Sequence, residues 1–289
     1  MPELPEVETV RLQLLHALKY KHVQNIKALH PKYTDDVKAL RKKLIGKELG
    51  NIDRIGKLLI FSFTNESNLF MLGHLKMTGQ FIAEKPNHEL TGGGHTLSEA
   101  DYLELPSRHS RIEFDFTDGT RMFFNDMRMF GYVRLADANT VTLAKSRFGP
   151  EPSTAPFPYR TFTSKVRRSH RPIKAILLDQ SIIAGLGNIY VDEVLFDTKI
   201  SPFRLGVDIT DSEAKAIVQS ARKILNRAIK AGGTTFQHFL DVENNKGNYT
   251  NQLKVFGHQG ESCPGSCGGT IVKVRLAGRG THYCPQCQK

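Results

Sequence analysis

Cysteine is missing from the first 262 residues of this 289-residue chain. A body without thiols is not stapled by disulfides, so its stability rests on an apolar core. Long hydrophobic runs are also missing: no stretch approaches the roughly 20 apolar residues of a bilayer span. No amphipathic basic terminus marks a membrane-surface binder, and no signal sequence opens the chain, so a cytoplasmic protein without a membrane partner is expected. Acidic residues are in deficit, 29 Asp and Glu against 40 Lys and Arg, which leaves a formal charge of +11. That excess points to a polyanion, nucleic acid ahead of a membrane surface. Ribosomal and other basic proteins share it, so it says nothing about catalysis.

The four cysteines that do occur sit together at the end, Cys263 and Cys267 as C-x3-C and Cys284 and Cys287 as C-x2-C, with sixteen residues between the pairs. Two close thiolate pairs joined by a hairpin supply the soft ligands of one tetrahedral, structural Zn2+. Two disulfides are the competing arrangement. Between the pairs, Ile271, Val272, Val274 and Leu276 form a β-prone run, and Gly278-Arg-Gly280 predicts a turn with Arg279 at its tip. A cation on a metal-held ribbon can reach a nucleic-acid groove, or can be a solvated turn residue.

The length and an apolar content of 39% suit two domains, the zinc hairpin being too small for a third. Val7, Val10, Leu14 and Leu18 predict a helix beginning after Pro5, with Glu6 and Glu8 complementing its positive end. From about residue 45 to 135 the pattern is β, with short strands at 57–64, 68–72, 111–116 and 121–124 and a turn at Thr117-Asp-Gly-Thr120. Numerous short strands argue for a β-sandwich with the first helix packed on it. Residues 84–107 read as a long excursion. A proline-rich linker occupies 136–158, after which the periodicity is helical. Gly185-Leu-Gly-Asn-Ile-Tyr190 feeds a helix from Asn188, and its amides suit a phosphate. Thr210-Asp-Ser-Glu213 is a capping box for a long helix stopped at Gly232-Gly233. Residues 242–252 read as a polar loop able to close over a ligand. The expected organisation is a catalytic β domain over 1–135, a linker over 136–158 and a helical DNA-binding domain over 159–289 whose finger covers 255–289.

The first residues carry a chemical possibility as well as a bland one. Removal of Met1 makes Pro2 a terminal secondary amine, and an α-amino group titrates near 7.7 to 8.0 rather than near the 10.4 of lysine. A usable fraction is then the neutral nucleophile. Its adduct with an aldehyde carbon is a cationic iminium, an electron sink that permits elimination. Glu3 stands beside it as general acid or base. Read blandly, Pro2 and Glu3 are an ordinary terminal pair, Met77 and Phe130 are core residues, and His109 and Arg128 are surface cations.

Pro2-Glu-Leu-Pro-Glu6, Gly185-Leu-Gly-Asn-Ile-Tyr190, Gly278-Arg-Gly-Thr281 and Cys284-Pro-Gln-Cys-Gln288, in that order, resemble the bacterial formamidopyrimidine-DNA glycosylase family along the whole chain. The resemblance implies an α+β, two-domain fold: an N-terminal β-sandwich, then a helix-two-turn-helix domain with a four-cysteine zinc finger. It implies excision of oxidised purines, 8-oxoguanine and formamidopyrimidines, from duplex DNA, followed by β,δ-elimination at the abasic site. Pro2 is then the nucleophile on C1′, Glu3 the acid that opens the ribose, and Lys57 the proton donor in β-elimination. Arg279 becomes the finger arginine on the flanking phosphate, assisting δ-elimination, and Glu6 supports the amine. Met77, Arg128 and Phe130 resemble the set that fills the vacated stack, and His109 and Asn188 resemble phosphate binders. The expected setting is base excision repair by a monomer at the bacterial nucleoid.

Four features depart from the family pattern: the C-x3-C knuckle, Met127 and Met129 where Pro and Arg or Lys are common, Ser169 where a DNA-contacting lysine is common, and the excursion at 84–107. The ranked alternatives are an endonuclease VIII-like enzyme for oxidised pyrimidines, a non-catalytic zinc-finger damage sensor, and an RNA-binding zinc-ribbon protein of ribosomal type. The Pro2, Glu3 and Lys57 set separates catalysis from binding alone.

Overall fold

The structure is a computed structural model that describes residues 2–94, 104–234 and 249–289. Its contacts divide the chain into two units, Met1–Ser146 with Ala231–Asn248, and Arg147–Lys230 with Tyr249–Lys289. No helix among the described residues is long and apolar enough to cross a membrane.

The first unit opens with α1 (Leu4–Leu18), which starts two residues before the expected point because Pro5 fits its first turn. Glu6 accepts a hydrogen bond from the Glu3 N–H at 2.9 Å, one half of a capping box. Val7, Val10, Leu14 and Leu18 are fully buried, and each contributes about 1.5–3 kcal/mol of apolar transfer. β1 (Val23–Ala28) and α2 (Thr34–Leu44) follow, the latter with Asp35 and Asp36 in its first turn and Arg41, Lys42 and Lys43 in its last.

Eight further strands follow among the described residues of the unit: β2 (Leu49–Ile55), β3 (Leu58–Phe63), β4 (Phe70–His74), β5 (Gly79–Glu84), β6 (Leu90–Gly94), β7 (Ser110–Phe116), β8 (Arg121–Asp126) and β9 (Tyr132–Ala136). They form a five-stranded sheet in the order β1-β7-β8-β5-β6 and a four-stranded sheet in the order β2-β3-β4-β9, with antiparallel pairing throughout. One apolar core joins α1, α2 and both sheets. Phe81 lies at its centre, its ring centroid 5.5 Å from Phe61 and 5.1 Å from Phe124. The expected linker at 136–158 is not all linker, because α3 (Ala138–Ser146) occupies part of it with Val141 buried. Within the excursion, β6 adds an edge strand on β5, while 95–103 lie outside the described residues.

The second unit contains α4 (Tyr159–Arg167), α5 (Ile173–Leu177), α6 (Asn188–Asp197) and α7 (Asp211–Lys230). Thr210 and Glu213 form the expected box, Glu213 N–H to Thr210 Oγ1 at 3.2 Å and Thr210 N–H to Glu213 Oε2 at 2.9 Å. Ile217, Ala221, Ile224 and Ala228 make the buried stripe of α7. The expected polar loop at 242–252 falls largely outside the described residues, which resume at Tyr249. The hairpin of β10 (Val272–Leu276) and β11 (Arg279–Tyr283) closes the chain.

Candidate active site

Pro2, Glu3 and Glu6 are all buried at the start of α1. Glu6 is bonded on both oxygens: Oε2 receives the Glu3 N–H, and Oε1 receives Thr234 N–H at 2.8 Å and Thr234 Oγ1 at 3.0 Å. Gly233 precedes that contact at φ +84°, and a Cβ there would stand 2.8 Å from Glu6 Oε1. Glycine is therefore required both by the backbone angle and by the carboxylate. Glu6 ties the first helix to the chain 228 residues later.

Lys57 is 7% exposed and directly precedes β3. In the register of β3 and β4, Leu58 faces His74. His74 is held neutral, its pKa lowered to about 3 by burial first and then by the charges of Lys76 and Lys57. Its Nδ1 accepts the Lys76 N–H at 3.0 Å. His74 carries no signal in the sequence, since a lone histidine at a strand end has no period.

Met77, Arg128 and Phe130 come together as one tip. The Arg128 guanidinium lies 4.9 Å from the Phe130 ring centroid, and its Nη1 lies 3.3 Å from Met77 Sδ. Phe130 is 54% exposed, which rules out the core role open to it in the sequence. Asp126 builds this tip from below: it accepts Arg128 N–H at 3.2 Å, Gly131 N–H at 2.6 Å and the Thr78 hydroxyl. Met129 takes a left-handed φ of +55° within the turn. His109 is half-buried, and its carbonyl accepts the Asp126 N–H at 2.9 Å, so it adjoins the same tip.

In the second unit Asn188 begins α6, and its Nδ2 donates to the Gly280 carbonyl at 3.0 Å. Its Oδ1 is buried without a hydrogen-bond partner among the described residues. Arg279 is exposed but does not sit at the hairpin tip: Ala277 at φ +49° and Gly278 at φ +74° make the two-residue turn, and Arg279 pairs with Leu276 as the first residue of β11. Two positive angles in a row are the type I′ geometry that matches strand twist, which displaces the arginine by one position. The sequence also hid the hairpin's supports. Fully buried Lys174 donates to Asp192 Oδ1 at 2.6 Å and to the Gly280 carbonyl at 3.0 Å, and Asp192 Oδ2 accepts the His282 N–H at 2.8 Å. Adjacent Glu193 accepts three backbone N–H groups, from Lys254, Val255 and Phe256 at 2.8, 2.9 and 2.9 Å. Near Ser169, Arg167 pairs with Asp211 and Arg171 with Asp179.

The Sγ atoms of Cys263, Cys267, Cys284 and Cys287 all lie within 4.8 Å of one another. Separations of 3.3 and 3.5 Å exceed the roughly 2.05 Å of a disulfide and approach the edge of a tetrahedron with metal–sulfur bonds of about 2.3 Å. The extra residue of the C-x3-C knuckle leaves this convergence intact, so the donor set fits zinc.

Three family models match in chain order: the formamidopyrimidine-DNA glycosylase N-terminal domain over 1–133, the formamidopyrimidine-DNA glycosylase H2TH domain over 148–239, and the zinc finger found in FPG and IleRS over 260–289. A formamidopyrimidine-DNA glycosylase of Lactobacillus gasseri is 39% identical over 100% of this chain and 99% of its own. The Lactococcus lactis Fpg, solved in complex with an abasic-site DNA, superposes with a TM-score of 0.85 at 34% identity, covering all of both chains. MutM in complex with DNA containing carbocyclic 8-oxo-G gives 0.82 at 34%, again over both full lengths. With its two mixed α/β units, its H2TH segment and its four-cysteine finger, this chain belongs to the formamidopyrimidine-DNA glycosylase family.

Proposed function

We propose that this DNA repair glycosylase removes oxidised purines from duplex DNA and then cleaves the abasic strand by β,δ-elimination. With Met1 removed, the Pro2 nitrogen attacks C1′ of the damaged nucleotide. The C1′–base bond breaks as the C1′–N bond forms, and the base leaves with the electron pair. Glu3 protonates the ring oxygen as the sugar opens, which leaves an iminium between Pro2 and C1′. A C2′ proton passes to water while the C2′–H electrons flow into that iminium, and the enamine so formed expels the 3′ phosphate, which leaves with the C3′–O electron pair. Lys57 is the proton donor of this step. Arg279 grips the phosphate whose departure completes the second elimination.

The observation that carries the reading is the joint presence, in the first unit, of the buried Pro2–Glu3 pair braced by Glu6 and of a tip on which exposed Arg128 and Phe130 meet half-buried Met77. Taking a nucleotide out of the stack leaves a vacancy. An exposed aromatic beside a guanidinium and a thioether suits that vacancy: Phe130 wedges a base step, Arg128 faces the orphaned cytosine and Met77 fills the remainder. His109 and Asn188 add phosphate contacts. Four thiolates hold one structural Zn2+, which fixes the hairpin carrying Arg279 and takes no part in the reaction. A monomer at the bacterial nucleoid suffices.

Borohydride trapping tests this. With a duplex carrying 8-oxoguanine opposite cytosine, the expected product is a covalent protein–DNA band mapping to Pro2. A band only with an oxidised pyrimidine moves the substrate class to the endonuclease VIII side, and no band with any lesion despite tight binding leaves a sensor without chemistry.

A further inference from the structure

The turn that carries Lys57 is fastened to the helix that begins at Pro2 by charged hydrogen bonds. Glu8 lies in α1, two residues beyond Glu6. Its Oε2 accepts Arg54 Nε at 2.8 Å, and both oxygens accept Arg11, Nε at 3.1 and 3.0 Å and Nη2 at 2.7 Å. Arg11 Nη1 continues to the Ile52 carbonyl of β2 at 2.9 Å. Arg54 then spans the end of the β2–β3 hairpin, its Nη1 donating to the Gly56 carbonyl at 2.8 Å. The Gly56 oxygen and the Lys57 nitrogen belong to the same planar peptide unit. Gripping that oxygen therefore fixes the plane from which the Lys57 side chain departs. Gly56 adopts φ +56°, so the turn is not the chain's default extended path and needs holding.

This linkage is stronger than a surface ion pair. The Arg54 side chain is 9% exposed and that of Glu8 15%. Burial pushes the Glu8 carboxyl up, but the bonds from Arg11 and Arg54 outweigh it and hold Glu8 below the usual carboxylate range, so it stays charged near neutrality. Both guanidiniums are part-buried and make charge-assisted bonds, which are about twice as strong as neutral ones.

We propose that Glu8 and Arg54 are positioning residues for β-elimination: they register the Lys57 turn against the helix whose first residues carry the nucleophile. The inference rests on the proposed role of Lys57. A proton-transfer group displaced by about 1 Å costs up to roughly a hundredfold in rate, whereas base excision, which uses Pro2 and Glu3, is spared. The pair therefore acts on one step of two.

Single-turnover rates of base excision and of strand cleavage, measured separately on the full-length protein with an 8-oxoguanine duplex, test this. Arg54→Met and the isosteric Glu8→Gln are expected to lower the cleavage-to-excision ratio about tenfold and to accumulate the borohydride-trappable iminium. Millimolar guanidinium is expected to restore cleavage in Arg54→Ala and not in Lys57→Met. Excision and cleavage falling together, an unchanged ratio in both variants, or no rescue would overturn the proposal and leave the linkage a stability element. Should Arg54→Met fail to fold, Glu8→Gln and guanidinium rescue still decide. An unchanged ratio in Lys57→Met sinks the Lys57 reading itself, a different failure from a slow Lys57→Met beside a normal Arg54→Met.

Discussion

The β unit and the terminal finger hold their candidate functional residues by opposite means. In the first unit, α1, α2 and both sheets share one continuous apolar core, from Val7 through Phe61 and Phe81 to Val133. Glu3 and Lys57 are buried at its margin, where the apolar core supplies rigidity and a few carboxylates supply direction. The finger has a cluster of only four buried residues, Val255, Cys263, Ile271 and Cys284, and two of those belong to the four-cysteine cluster that fits a metal ion. Its strands show alternating half-exposed and exposed positions on β10, so little apolar area leaves water. What places Arg279 is sulfur chemistry plus two adjacent acids, Asp192 and Glu193, reaching from α6. Where a module is too small for a core, polar anchors and a metal replace it.

The widest separation between the two regions is expected on metal removal. A small site of four thiolates has an apparent binding free energy of about 10–16 kcal/mol at neutral pH, far beyond what so small an apolar cluster provides. Chelation, or Cys284→Ser, is expected to melt the β10–β11 hairpin and weaken DNA binding at least tenfold. The main thermal transition of the β unit should shift by no more than a few degrees. Calorimetry beside a DNA titration checks this; loss of the β transition on chelation would show that the two modes of support are not independent.

Glu193→Ala sharpens the same contrast without touching the metal. One carboxylate accepts the N–H groups of Lys254, Val255 and Phe256, and each buried donor left unsatisfied costs about 1–3 kcal/mol. Water entering the gap relieves part of that, so roughly 3 kcal/mol of local stability should disappear. The expected signature is faster amide exchange from 254 to 283, unchanged exchange in β3 and β8, and a DNA affinity resembling that of Arg279→Ala. Uniformly faster exchange in both units would contradict it.

What is legible in the sequence follows the same division. The stripe Val7, Val10, Leu14, Leu18 and the alternation of Ile112, Phe114, Phe116 are local periodicities, and both appear as α1 and β7 with those residues buried. Cysteine spacing is equally local. The strand β1, with only Val23 and Ile26 buried, shows no clean alternation, whereas α2 does carry a local period, Val37, Leu40 and Leu44 standing at i, i+3 and i+7 among charges. Contacts across long separations leave no trace in periodicity: Glu6 with Thr234, Glu8 with Arg54, and Lys174 with Asp192 are pairings made by the fold. Lys174 in particular looks like a surface cation in sequence and is fully buried in the structure. Arg279 stands one residue from its expected place because the turn signal at Gly278-Arg-Gly280 admits two registers, and the positive φ at Ala277 selects the other.

The smallest expected effect probes the β unit by pH. His74 titrates at about 3 in the fold against about 6.5 in an unfolded chain. Between those values the unfolded chain binds a proton that the folded unit does not, so stability is fully present above pH 6.5 and is lost as pH falls toward 3. The slope is at most about 1.4 kcal/mol per pH unit. Because the ring is only half-buried and solvent screens part of the effect, a total of under about 2 kcal/mol is expected, a few degrees in Tm. His74→Gln should flatten the curve between about pH 4 and 6. Lys57→Met should raise the His74 pKa measured by ring-proton NMR, since the Lys57 charge is one of the three influences that lower it. An unmoved His74 resonance in Lys57→Met would mean that the lysine head group points away from the β4 edge, and that the register of Leu58 opposite His74 does not bring the two side chains together.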